Sequence, residues 1–578
     1  MKKKKEKVGG MALFNGLMLR NKKREAVGKV DNKGEITVEI TDIKEKTYND
    51  NFTIYDVPII RGIISMKNMI SSSVPYVLKS SQDILDKKSK EKVQIDKFEL
   101  VTAYTISIVI ILTLLAAIPN FISSFLDVSI RNISQAIIQI TAFIIYLLLL
   151  AKVDTLKTLF EYHGAEHKVA NAYEKLDKKD LTVENVKKES RFHIRCGGNF
   201  VIYLFLLILF ITIIIPSHNL IFKTILQVAI LPFLAGLSYE LVMYTEYLPN
   251  FLKFLAYPAM SIQLITTKEP TDDKIELAIY TLFGCLNGDE KIPLEKLINK
   301  YLEKNRKIKK EIKKEDIYDI ISNIKEIDRN ELYLKEKEIA FCYNEQIKVI
   351  RMLNKLYKEH IPIQYLLGKV NFYNEIYEVN KNVLIPRPDS EILVETAIKY
   401  IENENLKTML DMCTGSGCIG ISIAKNSNIK NCTLVDVSKR ALNVASKNII
   451  LNNMTGKCFV INSDLFSKLK NTNIKYDIIV SNPPYIPTSY CEKLDESVKK
   501  EPIIALDGGE DGMDYYKEIL TQAEEFLKDN ALVIFEIGYD ELDKFQNLII
   551  KHKKYTIINS IKDYGGNDRV VVCRFQNK

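Results

Sequence analysis

The sequence predicts a multidomain chain: an α-helical membrane domain with four transmembrane helices, a small helical domain, and an α/β domain with a mainly parallel, doubly wound sheet. Three observations predict it. Four long apolar runs lie between residues 100 and 245. From Lys291 the composition turns to Lys, Glu, Ile and Leu at helical spacing. After residue 368, strand-like and helix-like runs alternate. The corresponding boundaries are 1–99 for a basic N-terminal region, 100–285, 286–367 and 368–578.

Length and composition agree with this division. A chain of 578 residues has a prior of three or four domains, and 47% apolar residues can fill large cores. The net charge of +8 is concentrated in the first 25 residues, MKKKKEKVGGMALFNGLMLRNKKRE. Such a segment suits anionic lipid or nucleic acid. It is not a signal peptide, because no apolar stretch with a cleavage site follows. Nine cysteines without CxxC pairs point to reduced thiols in the cytosol rather than a disulfide scaffold.

The apolar runs are Leu100–Ile118, Ile133–Ala151, Phe200–Ile215 and Leu220–Leu237. Each is about as long as a bilayer crossing, which takes ~20 residues. The stretches IIQITAFIIYLLLLA and VIYLFLLILFITIII have no polar face, which disfavours a soluble helical core. Ten Lys and Arg residues lie in 152–199, against one in 119–132 and none in 216–219. Positive charge stays inside, so the N-terminus, 152–199 and everything after the fourth span are expected in the cytoplasm.

Within EYHGAEHK, His163 and His167 stand one helical turn apart with Glu166 beside them. This HxxEH spacing is the inverse of the HExxH zinc-binding pattern. His193 and Cys196 precede the third span, and Glu240 lies at the inner end of the fourth. Ionisable groups at that depth are functional candidates. The expected metal set is His163, Glu166, His167 and Glu240, with zinc as the metal. Hydrogen bonding of these groups to neighbouring helices is the competing reading. The pieces VGGMALFNGLMLR, PIIRGI, YHGAEHK, CGGNF, AGLSYE and LITTKEPTDDKIELAI resemble the YqhQ-like family of membrane proteins. That resemblance implies a metal-dependent enzyme and names no reaction.

The segment LEKLINKYLEKNRKIKKEIKKEDIYDIISNIKEI is charged on one side and apolar on the other, and reads as part of a helical domain ending near Pro362. Its charge run is a solvated face rather than a nucleic-acid arm.

In the last domain, KTMLDMCTGSGCIGISIAK is a strand, a Gly-containing turn and a helix start. Further strands end at Asp436, at Asp464, at SNPPY and in FEIG. Ligands of such sheets bind at the carboxyl ends of the strands, where all these residues lie. The turn Cys413–Gly417 lets backbone approach a ligand. Asp436, 19 residues past Gly417, is placed to accept ribose hydroxyls. A dinucleotide site is the alternative, carried only by Gly415-x-Gly417-x-x-Gly420.

Asn-Pro-Pro-Tyr at the fourth strand decides between them. It is expected where S-adenosylmethionine methylates a planar nitrogen. Such a nitrogen is a poor nucleophile because its lone pair is delocalised. The Asn482 side-chain carbonyl accepts one N–H and the Pro483 backbone carbonyl another, in a loop that Pro484 keeps stiff. Tyr485 offers a flat wall for stacking. Alignment of nitrogen and methyl contributes up to about 7–11 kcal/mol.

The strings LIPRPDSE, DMCTGSGCIGISIA, SDLF, SNPPYIP, EPIIALDGGEDGMDYY and FEIG resemble the release-factor glutamine methyltransferases, over residues 290–578. The resemblance implies a Rossmann-like class I fold and methylation of the glutamine amide in the Gly-Gly-Gln loop of bacterial class-1 release factors. It implies cofactor contacts from Cys413, Thr414, Gly415, Ser416, Gly417, Asp436, Asp464, Leu465 and Asn482. Substrate contacts fall to Asn482, Pro483, Pro484, Tyr485 and Arg387. Cys413 stands where many relatives carry glycine, so the turn must accommodate a Cβ. The expected partners are release factors and a lipid membrane, with no direct nucleic-acid contact. The expected location is the cell membrane, multi-pass, with the methyltransferase in the cytoplasm. The rival is a nucleic-acid amine methyltransferase whose N-terminal half is only an anchor.

Overall fold

The computed structural model describes residues 5–31, 34–43, 57–64, 75–82, 113–194, 196–214, 220–245, 257–305, 312–335, 338–470 and 474–577, with a few positions between 102 and 110. The chain forms two compact units. One comprises residues 1–304 and 336–348, the other 305–335 and 349–578. The helical segment expected over 286–367 contributes to both.

The first unit opens with a feature that the sequence pattern did not reveal. Strands β1 (Gly9–Leu13), β2 (Gly16–Arg20), β3 (Arg24–Val30) and β4 (Ile36–Asp42) form an antiparallel sheet in consecutive order. Leu13 pairs with Gly16 across a two-residue turn. The segment's Lys and Arg residues and short glycine-containing strands hid this pattern. Leu17, Leu19, Ala26, Ile36 and Val38 point into a core shared with several helices.

Membrane-length helices follow. α1 (Val128–Leu150) precedes α2 (Asp154–Lys175); α3 (Gly197–Ile214) and α4 (Leu220–Thr245) come next, then α5 (Asp272–Asn287). Among the described residues three helices, α1, α3 and α4, are long and apolar enough to cross a membrane, not four. Of the first expected run, Leu100–Ile118, residues 102, 105–107, 109–110 and 113–118 are described, and no membrane-length helix is found among them; the 216–219 link lies outside the described residues. α2 and α5 supply the other face of the β-sheet core. They pack closely. A Cβ on Gly28 would sit 1.9 Å from Thr281 Oγ1, so β3 needs glycine where α5 crosses it.

The second unit carries the α/β domain. Helix α6 (Glu391–Glu404) leads to β5 (Thr408–Met412), α7 (Cys418–Lys425), β6 (Asn431–Asp436), α8 (Lys439–Leu451), β7 (Cys458–Asn462) and β8 (Tyr476–Ser481). Then come α9 (Asp514–Ala523), β9 (Leu527–Glu536), α10 (Leu542–Lys551), β10 (Tyr555–Lys562) and β11 (Asp568–Phe575). The seven strands run in the order β7-β6-β5-β8-β9-β11-β10. Strands β5 to β9 run parallel to one another, while β11 is antiparallel to β9 and to β10. The sheet is therefore mixed, with its parallel part as expected.

Period-two alternation fills both faces. Leu410, Met412, Ile479, Val533 and Phe535 enter one core, and Met409, Ile478, Val480, Leu532 and Ile534 the other. Burial on both sides is why these strands read as continuous apolar runs. The order reverses between β5 and β8, and this opens a crevice at their carboxyl ends.

Candidate active site

The glycine turn is built around a buried acid. Asp411, at the end of β5, is almost fully inaccessible. Its Oδ2 accepts from Thr414 Oγ1 at 2.5 Å and from the Gly420 N–H at 3.0 Å. Burial lifts its carboxyl to about 7 against those two bonds. Cys413, Gly415 and Gly417 adopt φ of 61°, 55° and 81°. Glycine reaches these angles freely; Cys413 holds a left-handed conformation at a cost of ~1–2 kcal/mol. Gly417 then begins α7. A Cβ on Gly420 would meet Asp411 Oδ2 at 2.7 Å and Leu434 Cδ2 at 2.3 Å. The third glycine is thus a close-packing residue.

Asp436 closes the other side of the turn. Its Oδ2 accepts the Gly415 N–H at 2.9 Å and its Oδ1 the Ser438 N–H at 2.8 Å. A cleft of about 190 Å³ opens here, lined by Cys413, Gly415, Asp436, Asp464, Leu465 and Asn482 among others. The expected cofactor residues therefore divide. Those six meet at the cleft, whereas Thr414 and Ser416 are buried beneath it. Thr414 is spent on Asp411, and the Ser416 carbonyl accepts from Asn448 Nδ2 at 2.9 Å.

Across the cleft, Ser481 ends β8 and donates its hydroxyl to the Met412 carbonyl at 2.7 Å, which ties the two strand tips together. Asn482 follows and donates its side-chain N–H to Ser390 Oγ at 3.3 Å. Pro484 also lines the cleft. The loop beyond is clamped from behind. Ile486 donates its N–H to the Leu506 carbonyl at 2.9 Å and accepts from the Gly508 N–H at 2.8 Å. A Cβ on Gly508 would lie 2.6 Å from Tyr485 Cα, so the LDGGEDG string serves as the loop's close-fitting support. Burial raises the Tyr485 phenol well above its ordinary range, which keeps it neutral.

Arg387 is placed differently. It pairs with the buried Glu501, whose other oxygen accepts the Ile385 N–H at 2.9 Å. Arg387 lines a neighbouring depression formed with residues 360–364 and 495–501, and does not line the cofactor cleft.

Two acids in this region escaped the sequence pattern. Glu501 lies 114 residues from its partner Arg387, a pairing that no local pattern reveals. Glu536 ends β9 in FEIG, so the strand-end rule that found Asp436 and Asn482 could have found it. It is buried near Ser390, Asn482, Arg569 and Asp389, and its Oε2 has no hydrogen-bond partner. Burial lifts its carboxyl to about 7.

Residues 388–497 match the family described as Methyltransferase small domain. A release factor glutamine methyltransferase from Clostridium acetobutylicum is 40% identical over 248 residues, covering 42% of this chain and 87% of the relative. The Fusobacterium nucleatum protein of that name is 35% identical over 319 residues, covering 50% and 89%. The one from Thermodesulfovibrio yellowstonii is 36% identical over 260 residues, covering 44% and 90%. The chain belongs to the release factor glutamine methyltransferase family. Its C-terminal half is an S-adenosylmethionine-dependent methyltransferase. The donor set fits that cofactor: an acid at the β6 tip, a glycine turn open to close approach, and apolar walls from Met412, Val437 and Leu465.

The N-terminal half carries a second family. Residues 57–287 match the family described as Protein of unknown function (DUF1385). Here His163 and His167 are on one face of α2, with ring centroids 4.4 Å apart. Gly164 admits the segment ahead of α5: a Cβ there would lie 2.0 Å from the Lys268 carbonyl oxygen. Glu166 is buried, with its carboxyl raised by desolvation. Glu240 is not with them. Both its oxygens are taken by Arg61, at 2.6 and 3.2 Å. Cys196, named in the sequence but left out of the expected set, replaces it beside the histidines.

Proposed function

We propose that the C-terminal half methylates the side-chain amide of the glutamine in the Gly-Gly-Gln loop of class-1 peptide chain release factors. The observation that supports this most directly is the fixed orientation of Asn482 at the cleft rim. Its amide nitrogen donates to Ser390 Oγ at 3.3 Å, so its carbonyl oxygen is the half left to accept a substrate N–H. The Pro483 carbonyl accepts the second N–H. With both hydrogens held, the amide plane is fixed and the developing positive charge is stabilised. Tyr485, kept neutral and backed by the glycine string, stacks on that plane. The bound cofactor supplies an electrophilic methyl on sulfur. Cys413, Gly415, Asp436, Asp464 and Leu465 hold it, while Thr414, Ser416, Gly417 and Asp411 shape the turn.

Arg387 faces the substrate side, locked by Glu501, and the helical region 286–367 recognises the release factor. The chain crosses the cell membrane more than once, with the methyltransferase in the cytoplasm. The charge distribution around residues 119–199 supports this. The membrane half binds a divalent metal, zinc being favoured.

Transfer of labelled methyl from S-adenosylmethionine to a class-1 release factor, to its Gln→Ala variant and to DNA and RNA tests the reading. Label on the first alone is expected. Equal labelling of both release factors, or label on nucleic acid only, rejects it in favour of the amine methyltransferase.

A further inference from the structure

Among the described residues, metal-ligating atoms gather outside the methyltransferase. We propose that His163 Nε2, His167 Nε2 and Cys196 Sγ form a three-ligand zinc site in the membrane half. This rests on the metal reading given above and replaces its ligand set. Glu166 and Glu240 leave it, and Cys196 enters.

The tautomers are fixed by backbone. His163 Nδ1 is 2.9 Å from the Thr266 carbonyl, and His167 Nδ1 is 2.7 Å from the Arg191 carbonyl. A carbonyl only accepts, so each Nδ1 carries the proton and each Nε2 carries a lone pair. This carbonyl-held imidazole is the usual outer support of a metal-bound histidine.

The two lone pairs point at one place. His163 Nε2 lies 3.2 Å from Cys196 Sγ. His167 Nε2 is buried and has no hydrogen-bond partner. Leaving a buried acceptor unpaired costs about 1–3 kcal/mol. A cation bound by Nε2 removes that cost. The three ligand atoms lie within 4.8 Å of one another. With Zn–N of ~2.0–2.1 Å and Zn–S of ~2.3 Å, tetrahedral ligands sit about 3.5 Å apart. A contraction of about an ångström therefore closes the site.

Donor chemistry selects the metal. Two imidazoles and a thiolate suit zinc, whereas calcium and magnesium take oxygen ligands. The Cys196 sulfur accepts the Gly198 N–H at 3.2 Å, but burial pushes its thiol up to about 12, so the bound cation must drive its deprotonation. On binding, the thiol proton is displaced to solvent and the sulfur–metal bond takes its place. Three protein ligands leave a fourth position for water, as in catalytic rather than structural zinc sites.

The test uses the full-length chain in detergent, stripped with chelator and reloaded with Zn²⁺ or Co²⁺ alone. One zinc per chain is expected, with a thiolate-to-cobalt charge-transfer band in the Co²⁺ form. His167→Ala and Cys196→Ser should each weaken zinc binding ~10–100-fold or more, and Cys196→Ser should abolish the band. Glu240→Gln should leave stoichiometry and band unchanged. A wild-type Co²⁺ spectrum without the band overturns Cys196 as a ligand while the broader metal reading stands. Absence of stoichiometric zinc in the wild type overturns both. Both of these measurements are made on the wild type, so they decide the matter even where a variant fails to fold.

Discussion

Asn482 donates its side-chain amide to the hydroxyl of Ser390 across 92 residues of chain, at 3.3 Å. The contact joins the tip of β8 to the start of α6, and it decides which end of the amide faces the cleft. Ser390 is buried and held in place by the turn at 388–390. Ser390→Ala should therefore lower kcat for methyl transfer by roughly tenfold, the loss of one orienting bond. Cofactor affinity should change little. Single-turnover transfer and cofactor titration on the same preparation check both.

Gly420→Ala should act on the other side of the cleft. Its Cβ would press on Leu434 and on Asp411, which shapes the glycine turn. Overpacking of this kind costs about 1–3 kcal/mol. Cofactor binding should weaken at least tenfold with Asn482 untouched, measured by calorimetric titration.

Glu536 gives a pH signature. Its folded carboxyl titrates near about 7, against an ordinary value of 4.5. Between those values the folded state holds a proton that the unfolded chain has released. The group therefore subtracts stability as pH rises from about 4.5 to about 7, by up to about 3 kcal/mol, and nothing further above. Asp411 and Glu541 are raised to about 7 as well and act in the same direction. Glu536→Gln should flatten part of this decline. Thermal unfolding at pH 5 and at pH 8 shows whether the variant loses less stability than the parent.

Arg387 and Glu501 make a separable prediction. Glu501→Gln keeps the side chain's size but removes the charge that holds Arg387. KM for the release factor should rise several-fold while kcat stays within about twofold. A fall in kcat with unchanged KM would place the pair at the chemistry instead.

The sequence made the parallel strands and their tips legible because both sheet faces are buried. Met409 to Met412 and Ile478 to Val480 are apolar without interruption, except for Asp411. That exception is the organising acid, and it passed unremarked because a single carboxylate inside a strand has no spacing pattern. The antiparallel β10–β11 edge was missed for another reason. β10 is mostly exposed and carries Asn559, Ser560 and Lys562, which dilute the strand signal. In the membrane half, HxxEH marked α2 correctly, but spacing cannot show that Arg61 occupies Glu240 or that Cys196 turns toward His163. Those are contacts between segments 33 to 179 residues apart.

The most direct test is to map the methyl group. Full-length protein is incubated with S-adenosylmethionine and a class-1 release factor, and the modified peptide is sequenced by mass spectrometry. A single methyl on the glutamine side chain is expected, and Asn482→Ala should form it at least ~100-fold more slowly with cofactor still bound. A methyl at another residue, or an Asn482→Ala enzyme working at the parental rate, would contradict the account.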